Sequence, residues 1–218
     1  MNFEHARHNM VEQQIRPWQV LDQKVLDLLM KIHREEFIPA GYRQLALADI
    51  QVPLPHGQVT MTPKVEARLL QSVDIQPNDK VLEIGTGCGY LTALLANAAR
   101  EVVSVDIFPD FIEQAREQLI NKHNINNVSL ESGDAITGWE KSGPYDVIVV
   151  TGSVPVLDDH FQQQLTTDGR LFVIVGEPPV MEATLITRKG NNEWAMESLF
   201  ETSLPPLIGA VAEKQFEI

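Results

Sequence analysis

The sequence is poor in cysteine, in basic residues and in long apolar runs, and each shortage excludes something. A single cysteine, Cys88, among 218 residues cannot close an internal disulfide, which rules out a disulfide-stapled scaffold. Lys and Arg number 17 against 30 Asp and Glu, and the resulting formal charge of −13 repels phosphate backbones and anionic membranes. Nucleic acid is therefore not expected as a partner. The greasiest stretches, Val147 to Val150 and Leu171 to Val175, are strand-sized. A bilayer crossing needs about 20 apolar residues, so no membrane span is expected. No cationic segment followed by an apolar run opens the chain as a secretion signal would, and cytoplasm is the expected compartment. Internal repeats, low-complexity tracts and a convincing linker are also lacking.

What is present suffices for one sizeable core, since 44% of the residues are hydrophobic in a chain of 24.4 kDa. A single domain is expected over 1–218, with a helical cap and pre-motif loop at 1–62, an α/β core at 63–180 and C-terminal strands at 181–218. In the cap, Leu21, Val25, Leu28, Leu29 and Ile32 recur at helical spacing between Pro17 and Pro39. From Ala40 to Pro63 the periodicity fails and Pro53, Pro55, His56 and Gly57 gather, which marks an irregular segment. Thr62 and Pro63 then suit the N-cap and first turn of a helix that buries Val65, Leu69 and Leu70.

Beyond Pro77, short apolar runs alternate with amphipathic stretches, the pattern of a doubly wound, mostly parallel α/β sheet. Strands are expected at Lys80 to Ile84, Val102 to Asp106, Val128 to Glu131, Tyr145 to Thr151 and Arg170 to Val175. Helices are expected from Gly89, from Pro109 with Phe111, Ile112, Ala115 and Leu119 on one face, and near Pro155 to Leu165. Ala183 to Phe200, broken at Gly190 and Asn191, reads as a hairpin that finishes the sheet.

The chemistry concentrates in Val81-Leu82-Glu83-Ile84-Gly85-Thr86-Gly87-Cys88-Gly89-Tyr90, an apolar strand that ends in glycines and runs into a helix. Glycine there lets the backbone turn sharply and approach a nucleotide, although a tight turn without a ligand uses the same residues. A dinucleotide fold places its third glycine three residues after the second, whereas Gly89 follows Gly87 by two. Glu83, just before the loop, fits instead an acid that orients the methionine end of a sulfonium cofactor. The next strand ends in Asp106, an acceptor-only carboxylate suited to both ribose hydroxyls or simply to solvent. Gly133-Asp134-Ala135 after the third strand is placed for an adenine amine, or for an ordinary turn.

These motifs resemble the protein-L-isoaspartate O-methyltransferase family. The resemblance is carried by Gly85 through Tyr90, Gly133-Asp134-Ala135-Ile136-Thr137-Gly138-Trp139, and Pro144-Tyr145-Asp146 through Thr151. It extends to Phe37-Ile38-Pro39 with Tyr42, Ala48-Asp49, Leu54-Pro55 through Gln58, Leu165 through Leu171, Val175-Gly176 and Leu204 through Gly209, nearly the whole chain. It implies a seven-stranded, Rossmann-like sheet of the class I S-adenosylmethionine-dependent methyltransferase type with an N-terminal helical extension. S-Adenosyl-L-methionine is the implied cofactor. The implied reaction is methylation of the free carboxylate of L-isoaspartyl residues in damaged peptides or proteins. The implied cofactor contacts are Gln58, Glu83, Gly85, Thr86, Gly87, Gly89, Tyr90, Asp106, Ile107, Gly133, Asp134, Ala135 and Thr151.

The chain departs from the family pattern where it matters most. After glycine and glutamine the family usually reads Thr, Ile, Ser, one further residue and Pro, and the serine hydroxyl lies beside the reacting groups. Here the run is Val59-Thr60-Met61-Thr62-Pro63, so Met61 takes the serine position and Thr60 or Thr62 is left to supply a hydroxyl. The catalytic candidates are accordingly Thr60 and Met61. Ala135 stands where glycine is common, and Gly152-Ser153 where small apolar residues are usual. A methyltransferase turned to a small molecule, or a non-catalytic module that keeps the cofactor pocket, fits the same departures.

Other residues earn bland readings. Cys88 and Trp18, Trp139 and Trp194 are expected to pack, and His56 to be a loop residue. Asp158, Asp159 and His160 are expected to begin a helix, where acids suit the helix dipole, and no metal is expected.

Overall fold

The computed structural model describes residues 2–210, so the expected C-terminal strand region running to 218 falls partly outside the described residues. Helix α1 (Phe3–Met10) continues in wider turns through Val11–Ile15 and is followed by α2 (Gln23–Lys31). Asn2 and Asp22 cap these helices, their side chains accepting the backbone N–H of His5 and Lys24. Leu21, expected inside the helical stripe, lies ahead of α2 and is largely exposed. Of the remaining apolar positions, Val25 and Leu29 are buried in the core and Leu28 and Ile32 pack partly buried against it. Residues 40–57 hold short 3-10 turns and one side of a small antiparallel bridge, Pro53 to Val59, as their prolines and glycines suggest.

Helix α3 (Pro63–Val73) begins at Thr62 and Pro63, but the Thr62 hydroxyl makes no capping bond. Strands β1 (Lys80–Ile84), β2 (Glu101–Asp106), β3 (Val128–Ser132), β4 (Tyr145–Val154), β5 (Leu165–Glu177), β6 (Val180–Gly190) and β7 (Glu193–Glu201) form one sheet in the order β3-β2-β1-β4-β5-β6-β7. The first five are parallel where they pair, and β6 and β7 return antiparallel as the terminal hairpin. That order places β7 at the edge.

The strands bury alternate residues against two different cores, the two-residue period of a sheet covered on both faces. Val81, Val102, Val147, Val149, Phe172 and Ile174 face α4 (Tyr90–Ala98), α5 (Pro109–Arg116) and the N-terminal helices. Leu82, Val103, Ile148, Val150, Leu171 and Val173 face the other way, toward Trp139, Phe161 and Leu207. This second face carries little helix. The helix expected over Pro155 to Leu165 is reduced to α6 (His160–Gln163). Its upstream residues offer no apolar stripe, since Val156 is 72% exposed, and Asp158 accepts the His160 N–H just ahead of the helix.

Candidate active site

The strand order reverses direction between β1 and β4, and ligands of open α/β sheets bind beyond the carboxyl ends of strands at such a switch point. Here a glycine turn of the backbone forms one side of the cleft. Gly85 has φ +95° and Gly87 φ +51°, and a Cβ on Gly85 would collide with the Thr151 hydroxyl from the neighbouring strand. Thr151 Oγ1 lies 2.9 Å from the carbonyls of both Ile84 and Gly85, tying the turn to β4.

Asp106, at the end of β2, is fixed from both sides. The Gly87 N–H donates to Oδ2 at 2.9 Å and the Phe108 N–H to Oδ1 at 3.0 Å. Each oxygen keeps a lone pair for a ligand hydroxyl, so the carboxylate is oriented without being used up. Burial raises its pKa, partly offset by those backbone donors. Gln58, Ile107, Gly133, Asp134 and Ala135 complete this outer cleft with Leu54, Phe108 and Phe111. One oxygen of Asp134 accepts the Ile136 N–H, which fixes the turn.

The far wall of the cleft is Leu204 to Ile208. Ser153 holds it through backbone bonds with Pro205 and Leu207 and through its hydroxyl to the Leu204 carbonyl. A Cβ on Gly152 would come within 2.8 Å of the Leu207 side chain, so the unusual Gly152-Ser153 pair lets this segment close on β4.

An inner cavity adjoins the cleft, sharing Leu54, Val59, Gly85, Gly87 and Thr151 and adding Thr60, Met61, Glu66, Glu83, Thr86, Cys88 and Leu91. Glu83 is wholly buried there. Thr92 on α4 and Ser104 on β2 donate to its Oε2 at 2.5 and 2.6 Å, and Thr86 lies 2.6 Å from Ser104. Its Oε1 has no partner among the described residues. Burial pushes its pKa up to about 8, against the pull of the two hydroxyls. A cationic group beside Oε1 would reverse that shift. Cys88 is buried with its thiol pushed up to about 11, mainly by desolvation, which suits the packing role expected of it.

Two expected contacts lie elsewhere. Tyr90 and Gly89 line neither the cleft nor the inner cavity. The Tyr90 ring packs under the N-terminal cap, against Phe37 and 5.5 Å from the Arg34 guanidinium, because the first turn of α4 aims it at the core. Gly89 starts that helix at φ +82° and sits against Ala115.

The residues missed by sequence reasoning are charged and buried. Arg34 Nε donates to Glu66 at 3.0 Å, Nη1 to the Ala46 carbonyl at 2.6 Å, and Nη2 to Thr60 Oγ1 and the Met61 carbonyl at 3.0 and 2.8 Å. Burial is the largest influence on this guanidinium and works against its charge, but the Glu66 carboxylate together with Cys88 and Tyr90 more than offsets it, so the proton is held more tightly than usual. A signal existed: Glu66 shares the helical face of Leu69, Leu70 and Val73, where an acid needs a partner. Nothing in the sequence named Arg34. His56, by contrast, is the exposed loop residue expected, and it also forms a bridge. Its ring stacks on Phe108 at 4.1 Å and meets Asp110 at 2.8 Å, bridging the pre-motif loop and the start of α5.

The family model described as protein-L-isoaspartate(D-aspartate) O-methyltransferase matches residues 5–212. A protein-L-isoaspartate O-methyltransferase 2 of Pelobacter propionicus is 33% identical over 96% of this chain and 93% of its own. A protein-L-isoaspartate O-methyltransferase of Protochlamydia amoebophila is 36% identical over 92% and 95%. A solved protein-L-isoaspartate O-methyltransferase superposes with a TM-score of 0.77 at 25% identity, over 92% of this chain but only 65% of that one. A provisionally assigned protein-L-isoaspartate O-methyltransferase from Plasmodium falciparum, crystallised in complex with S-adenosyl-L-homocysteine, shares the fold with a TM-score of 0.78 at 19% identity, over 95% and 98%.

Proposed function

Because the chain belongs to the protein-L-isoaspartate O-methyltransferase family, we propose that it methylates the free carboxylate of L-isoaspartyl residues in peptides and proteins, with S-adenosyl-L-methionine as methyl donor. The observation that carries the reading is the pairing of an oriented Asp106 carboxylate with the unpartnered Glu83 Oε1 across the Gly85 to Gly87 turn. The first suits a ribose, and the second, one layer deeper, suits the ammonium of an amino acid. When bound, the cofactor supplies a methyl group activated by a positively charged sulfur.

The residues of the chain fit that cofactor in kind. Asp106 would accept from the ribose hydroxyls, and Asp134 and Ala135 would meet the adenine edge. Gln58, Leu54 and Ile107 would cover the nucleoside. Glu83 would accept from the methionine ammonium, a cation that returns its raised pKa toward the ordinary carboxylate range.

Methyl transfer to a carboxylate asks little of acid–base groups. A carboxyl with pKa about 4 is already ionised at neutral pH, so no general base has to activate it. The chain's task is to align nucleophile and methyl group at near-attack distance and to exclude water. The inner cavity suits the task, for Leu54, Val59, Met61 and Leu91 give it an apolar wall and neither histidine nor lysine lines it.

Methyl-labelled cofactor incubated with an isoaspartyl peptide is expected to yield base-labile label, while the matching aspartyl peptide yields none. Absence of label above a no-enzyme control would reject the assignment. Met61 favours a second reading, transfer to a small-molecule acceptor, because an apolar side chain lines the inner cavity where the family places a hydroxyl. Label appearing on small acceptors but not on the peptide would support it.

A further inference from the structure

The hydroxyl of Thr60 is held in an unusual way. Thr60 is buried in the wall of the inner cavity, and its Oγ1 accepts from the Val52 N–H at 3.0 Å and from Arg34 Nη2 at 3.0 Å. A hydroxyl oxygen has two lone pairs and one hydrogen. Both lone pairs are taken, one by the small hairpin that pairs residues 52–54 with 58–60 and one by a guanidinium that keeps its charge at every working pH. Thr60 is thereby reduced to a donor. No described residue accepts its hydrogen, and even Glu83 Oε1 in the same cavity remains without a partner.

From this we infer that Thr60 is the carboxylate-binding donor of the site and that Arg34 is its positioning residue. Arg34 is anchored at Ala46, Met61 and Glu66, so it holds Oγ1 in one place, and its charge polarises the O–H toward an anionic acceptor. A hydroxyl so held cannot accept from an ammonium, which leaves that group to Glu83. The inference rests on the methyl-transfer reading for the identity of the carboxylate. That reaction brings two into the site, one on the methionine end of the cofactor and one on the acceptor. The neighbouring Thr62 does not compete, since it lines a separate groove with Trp18, Ile50 and Lys64 rather than the inner cavity.

The test is a cycle between protein and ligand. S-Adenosyl-L-homocysteine and its decarboxylated analogue are titrated calorimetrically into wild type, Thr60→Val, Thr60→Ser and Arg34→Lys, with thermal melts to report folding. Kinetic constants for the isoaspartyl peptide are measured in parallel. A loss of about tenfold in affinity in Thr60→Val for the intact ligand only, restored in Thr60→Ser and shared by Arg34→Lys, identifies the cofactor carboxylate as the partner. Unchanged ligand affinities with a fall of about tenfold in kcat/KM for the peptide, again restored by serine, identify the acceptor carboxylate. Equal losses for both ligands, or no parameter moving beyond twofold, overturn the inference. If wild type esterifies no peptide yet the ligand cycle responds, the activity reading falls and the carboxylate site stands.

Discussion

The two walls of this site are built by different means. The outer cleft is organised by backbone: a glycine turn, amides that orient Asp106, and strand ends held in register by the sheet set where its side chains stand. The inner wall is made of side chains from distant parts of the chain, Arg34 reaching Ala46, Thr60, Met61 and Glu66. A backbone cradle costs little to fold and is sensitive to any added atom. A wall of buried charge is worth little when intact and costly when half removed. Mutation should therefore damage the inner wall chiefly through stability and the outer cleft chiefly through ligand affinity.

Arg34→Met tests the first half of that contrast and carries the largest effect. It leaves Glu66 buried without its partner and should cost about 3–5 kcal/mol in denaturant unfolding. A loss below about 1 kcal/mol would mean that water or a rearranged side chain already compensates Glu66, and the contrast would break.

Asp106→Ala tests the other half. On the proposed role of Asp106 as acceptor for both ribose hydroxyls, its loss should weaken binding of S-adenosyl-L-homocysteine by about 100-fold in calorimetry, with a smaller change in unfolding free energy than Arg34→Met. Comparable losses of stability in the two variants would erase the distinction between the walls.

Glu83 sits at the junction of the two and gives a dependence on pH. Its folded pKa is raised to about 8, so the native protein holds a proton that the unfolded chain releases. The stability tied to this group is complete below the ordinary glutamate range and is lost as pH rises through about 8. Between about pH 6 and 8 the loss should be roughly 2 kcal/mol, and Glu83→Gln should flatten it. Ligand binding should run the opposite way, strengthening toward pH 8 as the ammonium finds a carboxylate. A Gln variant whose stability still falls over this range would assign the titration to another group.

The smallest effect is expected at the bridge between the pre-motif loop and α5. His56 and Asp110 are both exposed at their contact, so His56→Ala should raise the KM for the methyl donor no more than severalfold and leave the melting curve almost unchanged. A larger change would make the bridge part of the cleft rather than a clasp beside it.

The legibility of the site divides along the same line. Gly85, Gly87, Asp106, Gly133 and Asp134 announce themselves because a glycine turn and a strand-end acid are local signals, and all of them meet in the cleft. Tyr90 belongs to the same motif but turns away, since adjacency in sequence does not fix the side of a helix that a residue faces. Ser104 interrupts an apolar strand and so hinted at the buried Glu83 beside it. Thr62 takes the N-cap position that its place before Pro63 suggests, but its hydroxyl makes no capping bond, because a threonine there is free to point elsewhere.

By itself the sequence determined the sheet, the glycine turn and the family, because strand periodicity and turn chemistry are written in neighbouring residues. The tertiary structure alone decided that Val52 and Arg34 would take both lone pairs of the Thr60 hydroxyl, that Glu83 would keep one bare oxygen, and that Gly152 would admit Leu207. Those outcomes depend on which groups meet in a dry interior after chain segments dozens of residues apart have packed. There a missing or added hydrogen-bond partner changes the energy of a polar group far more than it does in water.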